Sequence, residues 1–238
     1  FILGDQRADV FTSQNPLNDL FGLTISVDVG SRHDNRLAMA TQLLDKSGTK
    51  RFTAEQLKKE WYKLGSEFGV GIGDNETYIN LSGLDENLDA SLALLMEVLR
   101  EPTADAATLE ELKKIILVQR EDTKKDFRAV AGAVALFNRY NAKSPYLLAL
   151  TNDAVPAMPM ETRHGLTRGL LTYPLTVTYT GSLPVKRVKE MLRRHLGREV
   201  GLQPAPAYVF LTAAAPSASR VYLFHKGMAQ SQVRLEFS

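Results

Sequence analysis

Apolar and polar positions alternate most cleanly from Leu20 to Val29, where Leu23, Ile25, Val27 and Val29 share one side and Gly30 ends the run. A period of two predicts a half-buried strand. From Leu37 to Leu44 the apolar positions Leu37, Met39, Ala40, Leu43 and Leu44 fall at helical spacing, with Gly48 just beyond as a stop. Thr53 and Gln56 make a capping-box pattern for a second helix whose face is Leu57, Trp61 and Leu64 and whose end is Gly65. Phe68, Val70 and Ile72 then alternate with small residues, Gly73-Asp74-Asn75 supplies turn chemistry, and Thr77, Ile79 and Leu81 continue opposite Glu76, Tyr78 and Asn80. That pattern is a hairpin.

The second half reads in the same way. Asp85 is placed to cap a helix with the stripe Leu88, Leu92, Leu95, Met96 and Leu99, ended by Pro102. A longer helix is expected from Thr108 to Lys125, burying Leu109, Leu112, Ile115, Ile116 and Val118. Helical periodicity covers Val130 to Tyr140, and Ser144-Pro145 breaks it. Tyr173 to Tyr179 reads as a strand, Gly181-Ser182-Leu183-Pro184 as a turn, and Val185 to Leu196 as a basic amphipathic helix. Gln203-Pro204-Ala205-Pro206 has linker composition, and Val221 to Phe224 and Val233 to Phe237 are strand-like, separated by Lys226-Gly227. Hairpins mixed with helical crossovers point to the α+β class, a layer of helices on a mostly antiparallel sheet.

Composition narrows the picture. With 238 residues, 44% hydrophobic and 24% charged, the chain has the makeup of a globular protein with a sizeable core, one large domain or one and a fraction. No apolar stretch approaches the roughly 20 residues of a membrane span, and no signal-peptide pattern opens the chain. It starts at Phe1 and stops at Ser238 within a strand-like run, as expected of a piece excised from a longer protein. Zero cysteines exclude disulfides, thiolate zinc sites and a cysteine nucleophile in these residues, and suit the cytoplasm and the periplasm of a bacterial-type protein equally. A formal charge of +2 gives no broad basic face, so neither nucleic acid nor membrane is an expected partner. The densest basic run, Lys186, Arg187, Lys189, Arg193, Arg194 and Arg198, flanks an apolar stripe of Val188, Met191 and Leu192 and reads as a solvated helix face.

Several short words carry a resemblance: Val29-Gly30-Ser31 at a strand end, Gly48-Thr49 after the first helix, Leu64-Gly65 before the hairpin, Leu81-Ser82-Gly83-Leu84 after it, and Ser144-Pro145-Tyr146. Their order and spacing, over about residues 20 to 200, resemble the repeat unit of the insulinase/pitrilysin (inverted-zincin) zinc metallopeptidases. The resemblance implies a mitochondrial-processing-peptidase-like architecture. In catalytic units of that family the first helix carries H-x-x-E-H, two imidazoles for zinc and a carboxylate that activates water. The matching positions here are Met39, Gln42 and Leu43. A further carboxylate ligand, on a later helix, falls in register near Gln119 or Arg120, with Glu121 next door but expected to point elsewhere. A thioether, an amide and an isobutyl group offer zinc nothing comparable, so no catalytic, metal or substrate-binding residue is assigned to the chain.

Such units occur as tandem repeats, half catalytic and half degenerate, that together enclose a chamber for an extended peptide. The resemblance therefore implies a partner, a catalytic repeat on the same chain or another subunit, with zinc held in that half, and a peptide substrate. The family's arginine and tyrosine that assist substrate come from a later point than this chain reaches. Arg139 and Tyr146 show a similar separation but lie in a helix end and the Ser-Pro-Tyr loop, a coincidence.

Other signals are weaker. The four histidines, His33, His164, His195 and His225, include no pair three or four apart, which excludes a single-helix zinc clamp. His33-Asp34 could be a base with its orienting acid, but an exposed charged loop is the simpler reading. His195 and Glu199 have the spacing of a helix-end contact. Gly69, Gly71 and Gly73 lead into a hairpin, not a helix, so they make no phosphate cradle. Trp61 and Tyr62 are expected to pack. The domain reading is a degenerate repeat over 1–203 and, over 204–238, a linker with the first strands of a following repeat. Two other readings stay open: a catalytically dead scaffold or assembly subunit of the same fold, and an unrelated α+β binding module.

Overall fold

The protein is described by a computed structural model that covers residues 2–3, 6–196, 203–214, 219, 221–225, 227 and 233–234. In chain order the elements are β1 (Ile2–Leu3), β2 (Gln6–Gln14), β3 (Leu20–Val27), α1 (Leu37–Leu44), β4 (Gly48–Thr49), α2 (Ala54–Lys63), β5 (Glu67–Ile72), β6 (Thr77–Leu84) and α3 (Leu88–Arg100). There follow β7 (Pro102–Thr103), α4 (Ala106–Thr123), α5 (Phe127–Tyr140), α6 (Pro145–Leu148), α7 (Ala154–Ala157), α8 (Met160–Leu170), β8 (Leu175–Gly181) and α9 (Val185–Leu196). The α+β class read from the sequence is the one observed.

Six strands form one sheet in the order β1-β2-β8-β3-β6-β5, and β4 pairs with β7 separately. Every neighbouring pair is antiparallel except β2 with β8, which run parallel from Ala8↔Leu175 to Gln14↔Gly181. Alternation puts Phe21, Leu23, Ile25 and Val27 of β3, Ile79 and Leu81 of β6, and Leu175, Val177 and Tyr179 of β8 on one buried face. The stripes Leu88, Leu92, Leu95 and Leu99 of α3, and Val188, Met191 and Leu192 of α9, complete that core. The other face of the sheet carries small and polar positions, such as Gly22, Thr24 and Asn80, with the Thr24 hydroxyl donating to Asn80 Oδ1 at 2.8 Å.

The predicted capping box of α2 is present in both directions: Thr53 Oγ1 accepts from Gln56 N and Gln56 Oε1 accepts from Thr53 N. Other expectations are corrected. In α4, Leu109, Leu112 and Ile116 are buried, but Val118 is 58% exposed, because nine residues from Leu109 turn the helix through 900°, half a turn off the stripe. Asp85 does not cap α3; it lies in a 3₁₀ turn and its carboxylate serves other donors. Ser144-Pro145 opens α6, with proline at its first turn. Val221 to Phe224 is irregular, with no ladder partner among the described residues, and Val221, Leu223 and Phe224 are exposed. Val233 and Arg234 are likewise irregular, and the rest of that strand-like run lies outside the described residues.

Candidate functional site

The loop between β3 and α1 is pinned to the turn of the β5–β6 hairpin. Ser31 N and Arg32 N donate to Gly73 O and Asp74 O at 2.9 and 2.8 Å, and the Thr77 hydroxyl donates to Val29 O at 2.6 Å. Gly30 makes this approach possible: a Cβ there would lie 2.5 Å from Glu76 N and 2.6 Å from Asn75 N. The pinned loop fixes where α1 begins.

Beyond that loop lies a cavity of about 750 Å³, walled by the loop, α1, α4 and the α6–α7 region. Met39 and Gln42 of α1 and Gln119 and Arg120 of α4 all line it. Four of the five positions aligned with the family's zinc-site machinery, Gln42 with the water-activating carboxylate and Gln119 and Arg120 as alternatives for one ligand, thus meet in one place. The fifth, Leu43, is 1% exposed and packs beneath with Met39, Leu109, Leu112, Ile116, Val155 and Met158 in a second apolar cluster. α1 is buried on two sides, since Leu37 and Leu44 join the main core while Met39 and Leu43 join this one. Glu121 does not line the cavity; its carboxylate pairs with Lys124 at 2.5 Å.

Zinc requires about three nitrogen, carboxylate or thiolate donors. The residues here do not fit it: Met39 and Leu43 on the α1–α4 seam are a thioether and an isobutyl group sunk in an apolar cluster, and the other aligned positions, Gln42, Gln119 and Arg120, offer carboxamides and a guanidinium. Among the described residues no group of three or more His, Cys, Asp or Glu side chains is arranged to hold a metal. The charges around the cavity are mostly spent on one another. Arg36 clasps Asp34 through Nε at 2.8 Å and Nη2 at 2.6 Å, and these hydrogen bonds hold the Asp34 carboxyl below the usual carboxylate range despite partial burial. Arg32 pairs with Asp74 at 2.6 Å, and Arg120 donates to Asn152 Oδ1 at 2.7 Å.

The pairing of His33 with Asp34 as base and orienting acid is not formed. His33 Nδ1 accepts from Gly30 N at 3.0 Å, so Nε2 carries the proton and faces Ala207 O at 3.1 Å. His195 Nε2 meets Asp89 Oδ1 at 2.8 Å, across from α3, and Glu199 lies outside the described residues. Trp61 packs as expected, 5.2 Å from the Phe68 ring, but Tyr62 does not and is 88% exposed. Gly69 and Gly71 sit on edge strand β5 with nothing near a would-be Cβ. Arg139 and Tyr146 lie on α5 and α6, and Tyr146 is half exposed.

Two functional-looking features escaped sequence reading. One is Asn75, read as turn chemistry, whose buried carboxamide contacts the backbone of Val209. The other is the stretch just after the linker-like Gln203-Pro204-Ala205-Pro206, residues 207–211, which lies against the cavity mouth and contributes Leu211 to its lining.

The sequence model of the insulinase family, peptidase family M16, matches residues 9–143, more than half of the chain. No curated protein matches it in sequence. Among solved structures, the peptidase M16 inactive domain from Pseudomonas fluorescens superposes with a TM-score of 0.73 at 18% identity, covering 87% of this chain and 52% of that one. A mutant of the ferredoxin protease FusC in complex with Arabidopsis ferredoxin gives 0.73 at 15% identity, covering 86% of this chain and 23% of that one. The periplasmic protease PqqL from Escherichia coli gives 0.70 at 14% identity, covering 83% and 22%. The chain thus spans between about a quarter and about half of the length of these structures. On the strength of the family match, supported by the shared fold, this chain belongs to the insulinase family, peptidase family M16.

Proposed function

We propose that the chain is a non-catalytic repeat of a zinc metallopeptidase, forming part of the wall of a peptide-binding chamber and pairing with a catalytic H-x-x-E-H half on the same chain or on a partner subunit. One observation carries this reading. The positions aligned with the zinc ligands and base of catalytic relatives lie at and just beneath a single cavity, yet they present Met39, Gln42, Leu43 and, on α4, Gln119 or Arg120. Such a scaffold holds shape without a metal: the α1–α4 seam is packed where an ion would otherwise bridge it. The likeness to a domain described as inactive supports the same reading. In this view residues 1–203 are the repeat, and 204–238 are a linker with the first strands of the next. The exposure of Val221, Leu223 and Phe224 supports the latter, since a run of apolar side chains of that kind is normally covered by further structure.

Reconstitution tests the proposal. The isolated chain should cleave no quenched fluorescent peptide, with or without added zinc, and should form a complex with the H-x-x-E-H half encoded in the same reading frame or beside it, raising that half's peptidase rate. Chelator-sensitive cleavage by the isolated chain would overturn the reading. Binding to a partner that itself lacks H-x-x-E-H would replace it with the scaffold or assembly role.

A further inference from the structure

We propose that Arg32, His33 and Asn75 form a clamp that holds extended peptide backbone across the mouth of the cavity, and that residues 207–211 of the same chain are its resident occupant. Asn75 is 6% exposed and presents its carboxamide from the hairpin turn. Its Oδ1 accepts from Val209 N at 2.8 Å while its Nδ2 donates to Val209 O at 3.2 Å. That two-way exchange is the one that two residues of paired antiparallel strands make, here with a side chain standing in for the neighbouring strand. Arg32, its guanidinium oriented by Asp74, adds Nη1 to the same Val209 carbonyl at 2.8 Å, and His33 Nε2 takes Ala207 O at 3.1 Å.

Every one of these contacts is to main chain. Tyr208 and Phe210 point outward, 61% and 78% exposed, with their rings 4.5 Å apart, while Leu211 turns into the cavity wall. The clamp therefore selects an extended conformation and a free N–H at the central residue, and is indifferent to the side chain there. The segment is tied down on both sides: Gln203 N donates to Thr172 O at 2.8 Å, Ala214 N donates to Arg139 O at 2.8 Å, and the Tyr222 ring packs edge-on against Phe137 of α5 at 5.7 Å. α5 has no buried residue of its own, so this strap joins it to the body of the domain. A free peptide can use the clamp only by displacing a tethered competitor, whose effective concentration is on the order of millimolar. The inference uses none of the metal-position residues and stands whether or not the repeat is catalytically dead.

The test uses the full chain in four forms: unaltered, Val209→Ala, Val209→Pro and Asn75→Ala. Proline removes the N–H that Asn75 accepts, and alanine keeps it. Exchange at the residue-209 amide, whose proton Asn75 Oδ1 accepts, should be alike in the unaltered chain and Val209→Ala, and about tenfold faster or more in Asn75→Ala. A fluorescein-labelled peptide of residues 203–214 should then bind the Val209→Pro chain, whose clamp is emptied but intact, and not the Val209→Pro, Asn75→Ala double variant. Equal exchange at that amide in the unaltered and Asn75→Ala chains, or peptide binding by Val209→Pro no stronger than by Val209→Ala or by the double variant, would overturn the proposal. Should Asn75→Ala melt the hairpin, the contrast between Val209→Pro and Val209→Ala decides alone.

Discussion

Installing the family's zinc motif in α1, as Met39→His, Gln42→Glu and Leu43→His together, measures how far this repeat has been rebuilt around an apolar seam. Leu43 is 1% exposed and Met39 4%, and both touch the cluster of Leu109, Leu112 and Ile116. Replacing a buried leucine by an imidazole loses about 2 kcal/mol of apolar transfer and adds about 1–3 kcal/mol for a polar ring without a partner. Met39→His adds roughly 2 kcal/mol, less at its cavity-facing edge, and neighbours in one cluster do not add fully. A net loss of roughly 5 kcal/mol is a large share of a stability of about 5–15 kcal/mol. Urea unfolding followed by circular dichroism, near pH 8 so that the imidazoles are neutral, reads it directly. The midpoint should fall sharply, and zinc should recover it only after Arg120→Glu supplies a carboxylate on α4. A triple variant as stable as the unaltered chain would refute the reasoning, because the substituted positions could not then be in a packed seam.

Two further outcomes follow from buried contacts. Tyr179, 1% exposed, donates to Asp85 Oδ1 at 2.6 Å and accepts from Leu183 N, while Asp85 Oδ2 accepts from Ser182 N at 2.7 Å. Burial pushes the Asp85 carboxyl up, but the donors from Tyr179 and Ser182 outweigh it and hold it below the ordinary range; burial and then Asp85 push the Tyr179 hydroxyl up. The carboxylate's contribution is present above its unfolded pKa of about 3.9 and lost as pH falls below it, and the phenol's is present below about 10 and lost as pH rises beyond. Tyr179→Phe should therefore cost about 2 kcal/mol between about pH 5 and 9, with the gap narrowing at both extremes in denaturation curves taken across pH. Gly30→Ala should cost about 2–3 kcal/mol in the same assay by pushing the hairpin turn off the β3 end, and should also speed exchange at residues 207–211, because Asn75 sits in that turn.

Much of the domain was legible because its elements are locally consistent. β3, α1, the α2 capping box, the hairpin, α3 and α9 each show a clean period and a stop residue, and each lies within a few residues of its expected place. β2 was missed because the stretch Phe11-Thr12-Ser13-Gln14 is exposed and shows no alternation, and that stretch is held as strand by parallel pairing with β8, far along the chain. α8 was missed because Pro159, Gly165 and Gly169 punctuate a polar sequence that tertiary contacts hold helical. The convergence of Met39, Gln42, Gln119 and Arg120 was readable, since helical spacing and a family register sufficed. The roles of Asp85 and Asn75 were not: a turn residue and a helix-start residue look the same in sequence whether their side chains serve local backbone or groups on distant segments such as Tyr179 and Val209.

The most direct test of the degenerate-repeat account is the zinc content of the purified, unaltered chain after equilibration with a small excess of zinc and removal of free metal, read by mass spectrometry of the metal. The seam of Met39 and Leu43 facing Arg120 predicts far less than one ion per chain. One tightly held zinc per chain, lost on Gln42→Ala and Gln119→Ala, would contradict it.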